Sequence, residues 1–176
     1  YVLEFMNSMP DGTLIMYTDI DVLPVRTFDH LLDYMDDEAR SFEFVCMYDY
    51  LDDIPCNSGF WIARNTPTVR LLIARWVRKF HVAPDFRPER EQVWLNMGIL
   101  NEFSGHRFGC KPEFNTPNFS MWGGNTCNTT LRWGHFPPRL VTAKPEHIGE
   151  NLVAYHATGV TGTTAKLEKL RDGLVT

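Results

Sequence analysis

The run Thr13-Leu14-Ile15-Met16-Tyr17-Thr18-Asp19-Ile20-Asp21 constrains this chain more than any other stretch. Leu14 to Tyr17 read as a buried strand, and Pro10-Asp11-Gly12 in front of them is a turn signal. Two carboxylates follow with one residue between them. Ionised carboxylates are not left inside a core without partners. Asp19 and Asp21 are therefore expected to emerge at the C-terminal end of the strand, where open α/β sheets place their ligand crevices. As residues i and i+2 of a continuing strand, both side chains reach the same side. Two hard oxygen ligands there suit Mg²⁺ or Mn²⁺, and such a metal suits a diphosphate. A solvated turn or a helix cap fits the same two residues, so the rest of the chain has to decide.

The rest alternates helices and strands in a single domain over residues 1–176. Tyr1–Met9 reads as a helix, Thr13–Thr18 as a strand, Thr27–Met35 as a short helix and Phe42–Met47 as a strand. Pro55-Cys56-Asn57-Ser58-Gly59 reads as a turn before a strand at Phe60–Ala63. Thr66 is a cap and Pro67 the first position of the clearest helix, with Val69, Leu72, Ile73, Trp76, Val77 and Phe80 as its apolar stripe. Arg70, Arg75, Arg78 and Lys79 fall mostly outside that stripe and read as a solvated face. Arg87–Phe103 reads as a further helix, Gly105–Arg139 as irregular with short strand-like pieces, Val153–Tyr155 as a strand ending at His156, and Thr163–Leu174 as a terminal helix. Strands alternating with helices predict an α/β domain with a mainly parallel sheet flanked by helices.

Composition excludes some partners. The formal net charge is −5 and no basic tract is longer than a few residues, so nucleic acid is not the expected partner. Aromatic content of 13%, with five Trp, suits a site for flat or sugar-like ligands and equally well a core of large residues. No segment reaches the roughly 18–20 continuous apolar residues of a membrane span. Tyr1 to Met6 already read as the inside of an amphipathic helix. The chain is therefore expected to be a fragment, with membrane attachment only through an anchor upstream. Of the four Cys, none are in C-x-x-C spacing, which argues against structural zinc. Cys110 and Cys127 flank a loop-like stretch and are candidates for a disulfide, or else for free thiols. The sequons at Asn118 and Asn128 lie in that stretch and favour a secretory-lumen setting.

Three further places carry candidate chemistry. At Asn57-Ser58-Gly59, Asn57 and the Gly59 backbone suit hydrogen bonds to a hydroxylated ligand, with Gly59 allowing close approach; a plain turn before a core strand fits as well. Glu91-Gln92, followed by Leu95-Asn96, puts a carboxylate and an amide side by side for sugar hydroxyls, or simply helix N-terminal acids. At His156-Ala157-Thr158-Gly159-Val160-Thr161-Gly162, the His suits completion of a metal site. Its glycine loop, with Lys166 beyond, suits phosphate.

Together these pieces resemble the nucleotide-diphospho-sugar transferase family of GT-A glycosyltransferases, the group with plant and algal xylosyl-, arabinosyl- and galactosyltransferases. The resemblance rests on Thr18-Asp19-Ile20-Asp21-Val22, on Asn57 to Arg64 and on Arg75-Trp76. It rests also on Glu91-Gln92 with Leu95-Asn96, and on His156-Ala157, Val160, Gly162, Lys166, Leu170-Arg171 and Leu174 in order and spacing. It implies a Rossmann-like GT-A fold and transfer of a sugar from a nucleotide diphosphate, expected to be a UDP-sugar, to a hydroxyl on a glycan or glycoprotein, usually with retention. By that resemblance Asp19, Asp21 and His156 hold Mn²⁺ or Mg²⁺. Gly59, Gly159, Gly162 and Lys166 bind the donor, and Asn57, Glu91 and Gln92 face donor sugar and acceptor. The family usually has Asp-Gln where this chain has Glu91-Gln92, and its first nucleotide-binding strands would precede Tyr1. A Golgi or other secretory lumen is the setting it implies. A non-catalytic module of the same fold is the competing expectation. A metal-dependent phosphohydrolase is a third, disfavoured because no second acidic cluster supplies paired metals.

Overall fold

An unbroken apolar run has side chains for both faces of a sheet, and the two central strands use theirs that way. Strand β3 (Phe44–Leu51) sends Phe44 and Cys46 to one face and Val45 and Met47 to the other. Strand β4 (Ile54–Arg64) sends Trp61 and Ala63 to the first face and Phe60 and Ile62 to the second. Helices α1 (Val2–Ser8), α3 (Pro67–Val82) and α4 (Glu91–Met97) cover the first face through Met6, Val69, Leu72, Ile73 and Leu95. Helix α2 (Asp29–Asp36) covers the second through Leu31, Tyr34 and Met35, beside Val141, Val153 and Ala154. The structure is a computed structural model in which residues 1–36, 42–51, 54–82, 91–99, 131–158 and 163–172 are described.

Among the described residues the strands form two sheets. The larger has the order β1-β4-β3-β5, with β1 at Leu14–Thr18 and β5 at Trp133–His135. The smaller has the order β2-β7-β6, with β2 at Val22–Pro24, β6 at Val141–Thr142 and β7 at Ala154–His156. The α/β class is as expected, but the sheets are mixed rather than mainly parallel. β1–β4, β3–β4 and β2–β7 are antiparallel, while β3–β5 and β6–β7 are parallel. In the larger sheet the cause is that the consecutive strands β3 and β4 pair as a hairpin, whereas a parallel pair needs a long crossover.

Local signals explain the helices. The Thr66 hydroxyl accepts the Val69 N–H at 3.3 Å, the cap that opens α3 with Pro67 first. The last helix, α5, spans Thr163–Asp172. The expected turn at Pro55–Gly59 is instead part of β4. There the ladder to β3 slips, with Met47 opposite Asn57 but Cys46 opposite Trp61. Ser58-Gly59-Phe60 thus forms an irregular bulge, which bends the strand and re-aims side chains. Strand β5 falls within the stretch expected to be irregular. The expected start of the helix at Arg87 and its end at Phe103 lie outside the described residues, as do Cys110, Cys127, Asn118 and Asn128. Among the described residues no helix is long and apolar enough to cross a membrane.

The hairpin is stapled by a Cys46–Cys56 disulfide, with a Cα–Cα distance of 5.6 Å and a separation of 10 residues. Both cysteines are fully buried beside Trp61, whose ring stacks between Tyr17 at 5.2 Å and Phe44 at 5.5 Å. A loop of that length restricts the unfolded chain by about 2–3 kcal/mol. Cys46→Ala with Cys56→Ala is expected to lower unfolding stability by about that amount in a denaturant melt. An unchanged midpoint would show that the pair contributes no cross-link.

Candidate metal centre and its polar network

The two sheets meet at the acidic pair. β1 ends at Thr18 and β2 begins at Val22, so Asp19-Ile20-Asp21 is the chain's crossing from one sheet to the other. Contrary to the expectation of a continuing strand, β1 stops before the pair. Instead the Val22 N–H donates to the Asp19 carbonyl at 3.2 Å, closing a turn that leaves Ile20 fully exposed. The backbone of each acid is anchored to a different sheet. The Asp19 N–H donates to the Gly59 carbonyl at 2.7 Å, and the Ala157 N–H to the Asp21 carbonyl at 3.0 Å. Val22 pairs with His156, which brings that imidazole back across 135 residues to Asp21.

Asp19, Asp21 and His156 each offer a ligand atom within 4.8 Å of the others. Asp21 Oδ1 lies 3.1 Å from His156 Nε2, and its Oδ2 accepts from the Lys166 ammonium. Asp19 Oδ1 accepts the Tyr17 hydroxyl at 3.0 Å. Gly59 lies directly beneath: a Cβ there would strike His156 Cε1 and come within 2.6 Å of Asp19 Oδ2 and 3.1 Å of Asn57 Oδ1. The expected need for glycine is therefore met by close approach, and the three side chains close over it.

Protonation states suit a cation. Burial pushes the His156 pKa down, against the opposing pull of Asp21 and Asp19, so the ring is neutral at pH 7. Burial works to raise the Asp21 pKa, but the Lys166 hydrogen bond and the neighbouring positive charge outweigh it, and the carboxyl stays ionised. His156 is 4% exposed and its Nδ1 has no hydrogen-bond partner among the described residues. A buried polar atom without a partner is costly, and a neutral imidazole keeps one lone pair free for a metal. The residues present therefore fit a hard divalent cation. Tyr17, half-buried and beside Asp19, has its phenol pushed up to about 12, so it donates to that carboxylate across the physiological range.

A second group of polar side chains adjoins the first. Ser58 Oγ donates to Glu91 Oε1 at 2.9 Å, and the Ser58 N–H to Gln92 Oε1 at 3.3 Å. Asn57 Nδ2 donates to Asp49 at 3.1 Å and Gln92 Nε2 to the same carboxylate at 2.5 Å. Asn57 is buried at 3% exposure, with its Oδ1 accepting the Gly59 N–H at 2.9 Å. Trp76 Nε1 donates to the Glu91 carbonyl at 3.0 Å, and Asn96 clasps both backbone groups of Cys56 at 2.9 and 2.7 Å. The first fixes the start of α4 against α3, and the second fixes its far end against β4. Asp49 was not singled out by sequence, although it ends an apolar run as Asp19 does. Of the residues expected at the site, Asp19, Asp21, Gly59, His156 and Lys166 converge, and Asn57, Glu91 and Gln92 form the adjoining network. Gly159 and Gly162 lie outside the described residues.

Comparison with known proteins bears on the fold. No family model matches the chain, and no curated protein matches it. The chain shares the fold of a glycosyltransferase. The solved structure is that of a glycosyltransferase involved in the glycosylation of the major capsid of PBCV-1, and the match has a TM-score of 0.54 at 13% identity. It covers 99% of this chain and 72% of that one. With so few identical residues the likeness establishes the arrangement of strands and helices, while the chemistry has to be argued from this chain's own side chains.

Two outcomes follow from this geometry. Gly59→Ala is expected to weaken Mn²⁺ binding by about tenfold or more, because the added methyl displaces Asp19 and His156. Gly149→Ala, where a Cβ meets nothing within 4 Å, is the control and leaves binding unchanged. Equal affinities for the two variants in a Mn²⁺ titration followed by electron paramagnetic resonance would contradict the packing described. Glu91 supplies the second outcome, since burial raises its pKa from the ordinary 4.5 despite the Ser58 hydrogen bond. The folded state then holds that proton more tightly than the unfolded one. The stabilising contribution is present below the ordinary value and is lost as pH rises through the raised one. Glu91→Gln is accordingly expected to raise Tm by about 2 °C near pH 7, with the gain gone by about pH 4. A gain that persists in acid would show another cause.

Proposed function

We propose that this chain is a GT-A-type, metal-dependent glycosyltransferase domain that moves a sugar from a nucleotide diphosphate, a UDP-sugar by resemblance, to a hydroxyl on a glycan or glycoprotein. The observation that carries the reading is the Asp19–Asp21–His156 cluster within 4.8 Å at the crossing of two sheets. The shared fold with a glycosyltransferase supports it. So does the meeting of Asp19, Asp21, Gly59, His156 and Lys166, with Asn57, Glu91 and Gln92 adjoining, although these residues are scattered along the sequence.

Asp19, Asp21 and His156 would hold Mn²⁺ or Mg²⁺, which as a Lewis acid neutralises the charge on the departing diphosphate. The chain's own residues do the rest. Lys166 sits on Asp21 as a ready positive charge at the same spot and suits a phosphate oxygen once a dication takes its place. Glu91, Gln92 and Asp49 line up hydrogen-bonding groups of the kind that read sugar hydroxyls. Burial raises the pKa values of Asp49 and Glu91, as is common where carboxylates are kept for function rather than stability. Retention at the anomeric carbon is part of the proposal through the family resemblance. A secretory lumen suits the Cys46–Cys56 disulfide, since such bonds persist in oxidising compartments.

Asp21→Asn is the test. It preserves size while removing the charge that faces both His156 and Lys166. UDP-sugar hydrolysis or transfer with Mn²⁺ is expected to fall roughly 100-fold or more, together with loss of Mn²⁺ binding. Wild-type turnover in that variant would rule out the metal role assigned to Asp21.

A further inference from the structure

Asp49 lies on β3, outside the cation centre, and its two oxygens serve two different amides. Asn57 Nδ2 donates to Oδ1 at 3.1 Å and Gln92 Nε2 donates to Oδ2 at 2.5 Å. An ionised carboxylate has acceptors and no donor. Each amide must therefore turn its NH₂ toward Asp49 and its carbonyl away. Both carbonyls then meet backbone donors of the β4 bulge: Asn57 Oδ1 takes the Gly59 N–H at 2.9 Å, and Gln92 Oε1 the Ser58 N–H at 3.3 Å. One carboxylate thus sets two side chains, and those side chains hold two successive peptide groups.

We infer that Asp49 is a positioning residue, orienting the Asn57 and Gln92 amides so that they fix the Ser58–Gly59 bulge on which Asp19 and His156 close. Its bearing on turnover rests on the glycosyltransferase reading, whereas the orientation does not. The arrangement makes a donor-by-donor prediction. Asp49→Asn offers one acceptor and one NH₂, so one amide has to turn over and set its NH₂ against a backbone N–H. Adding Asn57→Asp repairs the pattern. The new amide at position 49 then donates to the new carboxylate at 57 and still accepts from Gln92. The carboxylate at 57 in turn accepts the Gly59 N–H, and the net charge is unchanged.

The test compares the wild-type chain, Asp49→Asn and the double variant Asp49→Asn/Asn57→Asp. Nuclear magnetic resonance follows hydrogen exchange of the Gln92 side-chain NH₂ and of the Ser58 and Gly59 backbone N–H groups. Mn²⁺ affinity and UDP-sugar turnover are measured alongside. Slow exchange is expected in the wild type. The single variant should exchange faster and bind Mn²⁺ about tenfold more weakly, and the double variant should recover both. Exchange in Asp49→Asn as slow as in the wild type, or no recovery in the double variant, overturns the positioning role. If the exchange pattern holds and no variant, the wild type included, turns over a UDP-sugar, the positioning role stands and the glycosyltransferase reading fails.

Discussion

The three residues that cross from one sheet to the other govern the rest of this structure. Asp19 is tied by its N–H to Gly59 in the larger sheet, and Asp21 by its carbonyl to Ala157 beside the smaller one. The Asp19–Asp21–His156 cluster therefore exists only if both registers are right. β1 must pair with β4 so that Thr18 meets Phe60, and β2 must pair with β7 so that Val22 meets His156. A slip of one residue in either ladder would turn every side chain of that strand to the opposite face. The apolar cores on both faces of the larger sheet enforce its register, since Phe60 and Ile62 cannot exchange places with Trp61 and Ala63 without emptying one face and overfilling the other. Packing far from the charges thus sets where the charges meet.

Electrostatics at the crossing follow from burial. Two nearly buried groups, Asp21 and His156, lie against each other, and the exposed end of Lys166 completes the balance on Asp21. Burial keeps His156 neutral and Lys166 keeps Asp21 ionised. That is the combination a hard dication requires of an imidazole and a carboxylate. The ammonium of Lys166 sits on Asp21 Oδ2. The neighbouring carboxylates of Asp49 and Glu91 are held at a cost in desolvation that hydrogen bonds from amides and a hydroxyl only partly offset.

Much of this was legible in the sequence because its causes are local. Leu14 to Tyr17 had to be a strand and the acids after it had to leave the core. Thr66-Pro67 had to start a helix. His156 gained weight from the glycine loop that follows it. What the sequence hid depends on contacts between distant residues. Asn57-Ser58-Gly59 has the composition of a turn, and only the antiparallel ladders on both sides make it a bulge within one long strand. The sheet's mixed direction follows from the β3–β4 hairpin, which alternating helices and strands do not reveal. Asp49 shows a signal that went unused: Phe44 to Tyr48 followed by an acid repeats the logic that singled out Asp19. The disulfide joins Cys46 to Cys56 because a shared hairpin, rather than a shared polar stretch, brought two cysteines together.

The central claim is that Asp19, Asp21 and His156 act as one cation site. The most direct measurement is anomalous diffraction at the manganese edge from crystals of the protein grown with Mn²⁺ and UDP. A single strong peak in contact with all three residues is expected, with Lys166 withdrawn from Asp21. A peak that touches the carboxylates and leaves His156 on Asp21, or no peak between these residues, would contradict it.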